Sequence, residues 1–237
     1  MSAAREDTGA RTLEAFAAVP EVNRWIFSKL ASHVRGEVLE VGSGIGNVSG
    51  LVLEHAARAT LTDRDDEYLE LLRGRFAGDR RVTVGRFDLD GDPPAELAAR
   101  RFDAIVAMNV FEHIADDRAP AARLARLLTP DGALLVYVPA CPFAFGALDR
   151  ALGHYRRYTR ATLTALLTSA GLALDAPPRY INALGLLGWV VNTQLLRLPR
   201  LPARELSLFQ RLLPLVRLED RLRLPVGVGL WAVARRA

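Results

Sequence analysis

The sequence predicts an α/β fold built on a doubly wound, mostly parallel sheet, and three observations carry that expectation. Residues 37–41 form an apolar, β-favouring run that enters the glycine-rich turn Gly42-Ser43-Gly44-Ile45-Gly46-Asn47, and residues 48–54 continue as a helix. Strand-like runs at 59–62, 82–87, 102–108 and 133–138 alternate with helical stretches, and 102–108 is nearly all apolar, as in a strand covered on both faces. The polar residues Glu40, Asp63, Asp88 and Asn109 stand at the C-terminal ends of successive runs, where open α/β sheets bind ligands.

The elements follow in order. Residues 12–33 read as one helix with Phe16, Trp25, Ile26 and Leu30 on its apolar face, placed to fold over the glycine turn. Residues 66–76 make a helix led by Asp63, Asp65 and Asp66, any of which suits its N-cap. The cluster at 91–94 breaks the chain after the third strand. A helix over 120–128 is stopped by the turn Thr129-Pro130-Asp131-Gly132. Residues 139–153 are loop-like, and Thr159 caps a helix that reaches Ala170 and closes at Gly171. Residues 172–181 and 226–234 are strands. The 182–225 stretch between them reads as two or three amphipathic helices broken at Pro199, Pro202 and Pro214, an inserted cap on a single domain spanning 1–237.

A chain of 237 residues with 50% hydrophobic and 24% charged residues can bury a sizeable core. Its lone Cys141 forms no intramolecular disulfide and fits a reducing, cytoplasmic compartment, and residues 1–12 lack the apolar core of a signal peptide. The net charge of +4 is unevenly spread: residues 179–237 hold ten arginines against three acids, so the basicity belongs to the C-terminal quarter. The run 181–196 contains Asn182, Asn192 and Gln194 and is short for a membrane span. It reads as a buried cap helix or as a contact with a membrane surface.

The glycine turn is a nucleotide-type site, because glycines allow a sharp turn and close ligand approach beside a helix N-terminus. The dinucleotide spacing G-x-G-x-x-G would need glycine at 47, where the chain has Asn47, and Glu40 suits a cationic ligand group better than a pyrophosphate. Asp63 lies 21 residues after Gly42, where an acid reaches ribose hydroxyls. With Val38-Leu39-Glu40-Val41-Gly42-Ser43-Gly44-Ile45-Gly46, Asp63, Asp88 and Asn109, the chain over about 36–181 resembles the class I S-adenosylmethionine-dependent methyltransferases. The resemblance implies a seven-stranded Rossmann-like sheet with its last strand antiparallel, and S-adenosyl-L-methionine as cofactor. It places Glu40 at the methionine ammonium, Gly42, Ser43 and Gly44 along the methionine and ribose, and Asp63 at the ribose hydroxyls. Arg64 would flank the adenine, Asp88 and Leu89 would meet its edge, and Asn109 and Val110 would lie beside the methyl sulfonium.

The stretch Asn109-x-x-Glu112-His113 is also similar to a Glu-x-x-Glu-His metal site of ubiquinone-biosynthesis and small-RNA methyltransferases. Asn109 replaces its first carboxylate, so no metal is expected. His113 is a candidate general base or a packing residue. The segment His154-Tyr155-Arg156-Arg157-Tyr158 resembles one in bacterial small-molecule methyltransferases. His154 and Tyr155 are candidate catalytic residues, and Arg156, Arg157 and Tyr158 candidate holders of an acceptor carboxylate or phosphate. The expected activity is methyl transfer to a small, lipophilic acceptor that can carry an anionic group, with the accepting atom, oxygen, carbon or nitrogen, open. Two other classes compete. A nucleic-acid methyltransferase is disfavoured by the lack of lysine-rich tracts and of an Asn-Pro-Pro-Tyr-like motif at Asn109-Val110-Phe111-Glu112; a cofactor-binding sensor would bind without turnover.

Overall fold

The computed structural model describes residues 3–198, 203–222 and 224–236, and Pro199 and Pro202 lie outside them. In chain order the elements are α1 (Ala3–Ala17), α2 (Pro20–Phe27), β1 (Glu37–Val41), α3 (Ser49–Leu53), β2 (Arg58–Asp63), α4 (Asp66–Arg75), β3 (Val82–Arg86), α5 (Ala95–Ala98) and β4 (Phe102–Met108). There follow α6 (Arg118–Arg126), β5 (Leu128–Pro139), α7 (Ala147–Leu152), α8 (Arg160–Ser169), β6 (Leu172–Leu174), β7 (Arg179–Ile181), α9 (Ala183–Val190), α10 (Ala203–Val216) and β8 (Gly229–Arg236). The strand order is β3-β2-β1-β4-β5-β8-β6, with β7 also on β8. Strands β1 to β5 are mutually parallel, and β8 runs antiparallel to β5, β6 and β7.

The doubly wound expectation holds because alternate strand residues feed two different cores. Leu39, Ile105 and Leu134 pack on one face with Leu124 of α6 and Leu163 and Leu167 of α8. Their neighbours Val38, Ala104 and Leu135 pack on the other with Trp25, Val52 and Leu72. Burying a large aliphatic side chain contributes about 1.5–3 kcal/mol, so this paired alternation fixes the sheet register.

Several boundaries differ from the expectation for identifiable reasons. The helix expected over 12–33 is two helices, because the chain bends at Val19 and Pro20 opens α2 at its first turn. The strand expected at 172–181 is split into β6 and β7 around Pro177 and Pro178, both on the same edge of β8, so seven strand positions hold eight strands. The turn at 129–132 is instead a bulge inside β5, where the pairing jumps from Phe102 with Leu128 to Ala104 with Ala133. The 139–153 stretch holds a 3-10 turn and α7, whose N-terminus is tied by the Gly146 amide donating to Asp149 Oδ2 at 2.8 Å. Pro214 does not break a helix. It sits inside α10, which buries Leu213 and Val216 on the same core as α2.

The insertion is anchored at its base. Glu219, in the 3-10 turn after α10, accepts the backbone N–H groups of Asn182 and Ala183, the latter at 3.0 Å. Asp220 accepts from Trp25 Nε1 at 3.1 Å and pairs with Lys29. Among the described residues, no helix is long and apolar enough to cross a membrane.

Candidate functional site

The glycine turn is shaped by backbone that side chains would forbid. Gly42 and Gly44 have φ of +66° and +54°, a left-handed conformation costing other residues about 1–2 kcal/mol. A Cβ on Gly42 would come 2.7 Å from Val110 Cγ2, and one on Gly44 would come 3.1 Å from Leu13 Cδ1. The turn is therefore held between the end of β4 and α1. Asn47, the residue that breaks the dinucleotide spacing, donates to the Leu13 carbonyl at 2.8 Å and pins α1 over the turn.

Asp63 ends β2 and reaches across to the turn. Its Oδ2 accepts the Gly44 N–H at 2.8 Å and its Oδ1 accepts the Asp65 N–H at 3.1 Å. The N-cap of α4 is Asp65, which accepts from the Glu67 amide, so Asp63 is not the cap. Burial raises the Asp63 carboxyl above its ordinary pKa, with those backbone donors opposing the shift. Glu40 is buried beneath α3, where Ser49 Oγ donates to it at 2.6 Å. Burial pushes its carboxyl up to about 7, only partly offset by the Ser49 hydrogen bond. Ser43 is buried, with its amide donating to the Thr62 carbonyl at 2.9 Å.

The other expected cofactor residues fall around this turn. Arg64 and Asp88 are exposed and line an open surface depression with Asp65, Asp66 and Arg86. Leu89 is in the core. Asn109 is exposed and left-handed, with φ of +53°, and its amide donates to the Tyr137 carbonyl. The donor set fits a ligand with a cationic centre and hydroxyl groups: a buried carboxylate of raised pKa, a second carboxylate beside it, and a cradle that any side chain would fill.

The 3-10 turn Phe111–His113 carries the site away from β4. Glu112 is fully buried and neither of its carboxylate oxygens has a hydrogen-bond partner, and burial pushes its carboxyl up to about 8. His113 meets His154 edge to face, with ring centroids 4.6 Å apart. Burial, then the charges of His154 and Arg64, lower its pKa to about 3, so His113 is neutral. Ligand-type atoms of Glu112, His113 and His154 lie within 4.8 Å of one another.

His154 is oriented by a residue that the sequence reading missed. Its Nδ1 lies 2.9 Å from Asp149 Oδ1, and Asp149 also accepts from Arg157 Nε at 2.9 Å and from the Gly146 amide. Burial alone would raise the Asp149 carboxyl; the hydrogen bond from His154 and the Arg157 charge outweigh it and hold the pKa below the ordinary value. An ionised Asp149 only accepts, so His154 Nδ1 donates to it and the ring is held in one orientation, with Nε2 outside that bond.

The acceptor-side residues are arranged differently from the expected open anion clamp. Arg157 has a fully buried side chain that donates to Ala140 O at 3.0 Å and lies 4.3 Å over the Trp189 ring. Tyr158 is buried and donates to Asp117 Oδ2 at 2.6 Å, and Arg156 pairs with the same oxygen at 3.1 Å. Burial of an arginine and a tyrosine beside each other is what an internal network needs, and it leaves Arg157 and Tyr158 closed to solvent. Tyr155 is 59% exposed, with its amide donating to the Glu112 carbonyl at 2.7 Å. Trp189 Nε1 donates to Ala144 O at 3.1 Å, which seats the insertion on the 142–144 turn. Asp149 and Asp117 gave no signal in the sequence, since Asp149 is a lone acid in a loop-like stretch and Asp117 stands beside Asp116 in a stretch without a motif.

Residues 39–134 match a family model described as a methyltransferase domain. The chain is 31% identical over 166 residues to a ubiquinone biosynthesis O-methyltransferase of Xylella fastidiosa, covering 62% of this chain and 65% of that relative's length. Among solved structures, the N-methyltransferase NodS of Bradyrhizobium japonicum, in complex with S-adenosyl-L-homocysteine, superposes with a TM-score of 0.59 at 17% identity, over 91% of this chain and 86% of that one. An S-adenosylmethionine-dependent methyltransferase of Mesorhizobium loti gives 0.61 at 17% identity over 90% and 98%. The domain match, the strand order and the glycine turn agree: residues 39–134 carry a methyltransferase domain, and the chain has the fold of the S-adenosylmethionine-dependent methyltransferases it superposes on.

Proposed function

We propose that the protein transfers the methyl group of S-adenosylmethionine to a hydroxyl of a small, lipophilic acceptor. The observation that carries this reading is the Asp149–His154 pair, in which a buried carboxylate orients an imidazole against His113, beyond the end of β4. The named activity of the Xylella relative, O-methylation, points the same way.

When bound, the cofactor supplies a methyl group on a sulfonium that is already a good leaving group. The chain's own part is positioning and proton handling. Gly42 and Gly44 give the close backbone approach, Asp63 offers a carboxylate to hydroxyl donors, and ionised Glu40 offers negative charge to the cationic part. His154 Nε2 takes the acceptor's hydroxyl proton as the oxygen attacks, and Asp149 stabilises the imidazolium so formed. Neutral His113 adds no opposing positive charge at its edge. Trp189 and the insertion exclude water above this pair, which suits an apolar acceptor. Arg157, Asp149 and Trp189 neutralise and cover one another, so the acceptor needs no acidic group. With Asn109 replacing a carboxylate, Glu112 is the one acid in the Glu112, His113 and His154 cluster, and the transfer runs without a bound metal.

The test uses purified protein, S-adenosylmethionine and a panel of alkylated phenols with the matching anilines, read as S-adenosylhomocysteine produced. Phenol methylation that survives a metal chelator supports the reading. Turnover on the anilines alone overturns the choice of oxygen, and loss of turnover with the chelator overturns the metal-free mechanism. Cofactor binding in calorimetry without turnover on phenols or on a solvent extract of lipophilic metabolites would identify a sensor.

A further inference from the structure

Three side chains of the acceptor half share a geometry that the proposed reaction does not use. Glu112 and His113 leave β4 on the 3-10 turn and His154 comes from the loop after α7, yet one ligand-type atom of each lies within 4.8 Å of the other two. Glu112 is fully buried, and neither of its carboxylate oxygens has a hydrogen-bond partner. Arg157 acts on it through charge alone, because its Nε donates to Asp149 and its Nη1 to the Ala140 carbonyl. A buried carboxyl without a partner is costly, so Glu112 is placed for a partner from outside the chain.

The two rings beside it are held from behind. Asp149 accepts from His154 Nδ1 at 2.9 Å, and the His113 ring is hydrogen-bonded to the Leu152 backbone. A carboxylate or carbonyl behind an imidazole fixes its orientation and makes the other nitrogen a better metal ligand. Two imidazoles and one carboxylate are the donor set of a three-ligand zinc site whose fourth position stays open. Bonds of that kind put donor atoms about 3.3–3.5 Å apart, so side-chain rotation has to close the spacing by up to about 1.5 Å. Mg²⁺ and Ca²⁺ need more oxygen ligands than one carboxylate offers. Asn109, standing where a second acid would harden the set, leaves it suited to a borderline-soft ion.

We propose that Glu112, His113 and His154 bind a divalent ion of the zinc class, and that this binding switches the enzyme off. The switch rests on the proposed reaction: a metal held by His154 blocks the group that takes the acceptor's proton, so the metal-free form is the active one. Asp149 then has two uses, orienting the base in one form and supporting a ligand in the other.

Calorimetric titration of the full chain with Zn²⁺, after purification through a chelator, needs neither cofactor nor acceptor, so its failure leaves the proposed reaction standing. One equivalent binds, and a large excess of Mg²⁺ does not compete. Glu112→Gln and His113→Gln each abolish the stoichiometric binding, with metal-free melting curves recorded to show that both variants fold. His33→Gln and His55→Gln, at the two histidines outside the cluster, retain it. Asp149→Asn weakens it by about 10- to 100-fold, the usual cost of losing the group behind a ligand. Turnover on phenols falls as Zn²⁺ is added and returns with the chelator. Absence of binding, competition by Mg²⁺, or full binding by both cluster variants overturns the site. Zn²⁺ bound at one equivalent with turnover intact overturns the switch, and with it His154 as the base.

Discussion

The two halves of the site are built by different means. Around the glycine turn, the proposed cofactor site rests on backbone conformation and on short polar residues at the ends of adjacent strands: Gly42, Gly44, Asp63 and Asn109 lie where β1, β2 and β4 finish side by side. Around His154, the proposed acceptor site rests on side chains gathered from distant segments, with Glu112 and His113 after β4, Asp149 on α7, Arg157 before α8 and Trp189 on the insertion. The first half is a property of a parallel sheet and is shared by proteins that bind one cofactor. The second depends on how one chain folds its loops and insertion together, and it is free to differ with the acceptor.

The sharpest way to break this division is at His154. His154→Gln removes the proton acceptor and lowers kcat by about 10²- to 10⁴-fold, the usual worth of general-base catalysis, while cofactor affinity in calorimetry stays unchanged. A parallel loss of cofactor affinity would mean that the two halves are not separate. Asp149→Asn lowers kcat less and moves the pH profile, because the amide no longer stabilises the imidazolium. Its stability must be followed too, since it leaves Arg157 buried with a neutral partner.

The complementary experiment is Asp63→Ala, which removes a charged acceptor of two backbone donors and of the ligand's hydroxyls. Charge-assisted hydrogen bonds contribute about 1.5–3 kcal/mol each, so the cofactor's Kd rises by about 10- to 100-fold. The saturated rate at high cofactor changes little. In contrast, Arg156→Ala, which cuts a pair to Asp117 at a partly exposed position, raises the acceptor's KM about twofold to fivefold and leaves cofactor affinity alone. Equal loss of cofactor affinity in both variants would remove the division of roles.

The same contrast explains what the sequence disclosed. Glu40, Gly42, Gly44 and Asp63 were legible because a strand, a left-handed turn and an acid one βα unit later are linked by fixed geometry, so spacing alone places them together. The sheet was legible for a related reason: runs such as 102–108 are apolar throughout when both faces are covered. Asp149 was not legible. It stands in a stretch of Pro, Phe, Gly and Ala that reads as loop, and nothing local announces that Gly146, His154 and Arg157 converge on it. Arg157 misled for the converse reason, since an arginine beside a tyrosine looks the same in sequence whether it faces a ligand or is buried under Trp189. Pro214 was misplaced because tertiary packing on α2 outweighed its local cost.

The smallest expected effect is a pH dependence, and it bears on the cofactor half alone. Glu40 is buried with its carboxyl raised to about 7. Between the ordinary carboxylate pKa and that value the folded state binds a proton that the unfolded state has lost, so this group's contribution to stability falls as pH rises through that window. Cofactor binding has the opposite sign. A cationic ligand group prefers the ionised carboxylate, so affinity increases as pH rises through about 7, by up to about tenfold between pH 6 and pH 8. Calorimetry in buffers of different ionisation enthalpy should detect the proton released as Glu40 ionises on binding. Glu40→Gln abolishes both the proton release and the rise in affinity, while kcat keeps the pH profile set by the Asp149–His154 pair. If that variant kept the pH-dependent affinity, the titrating group would be Asp63, whose pKa is also raised, and the cationic end of the ligand would lie beside β2 rather than under α3.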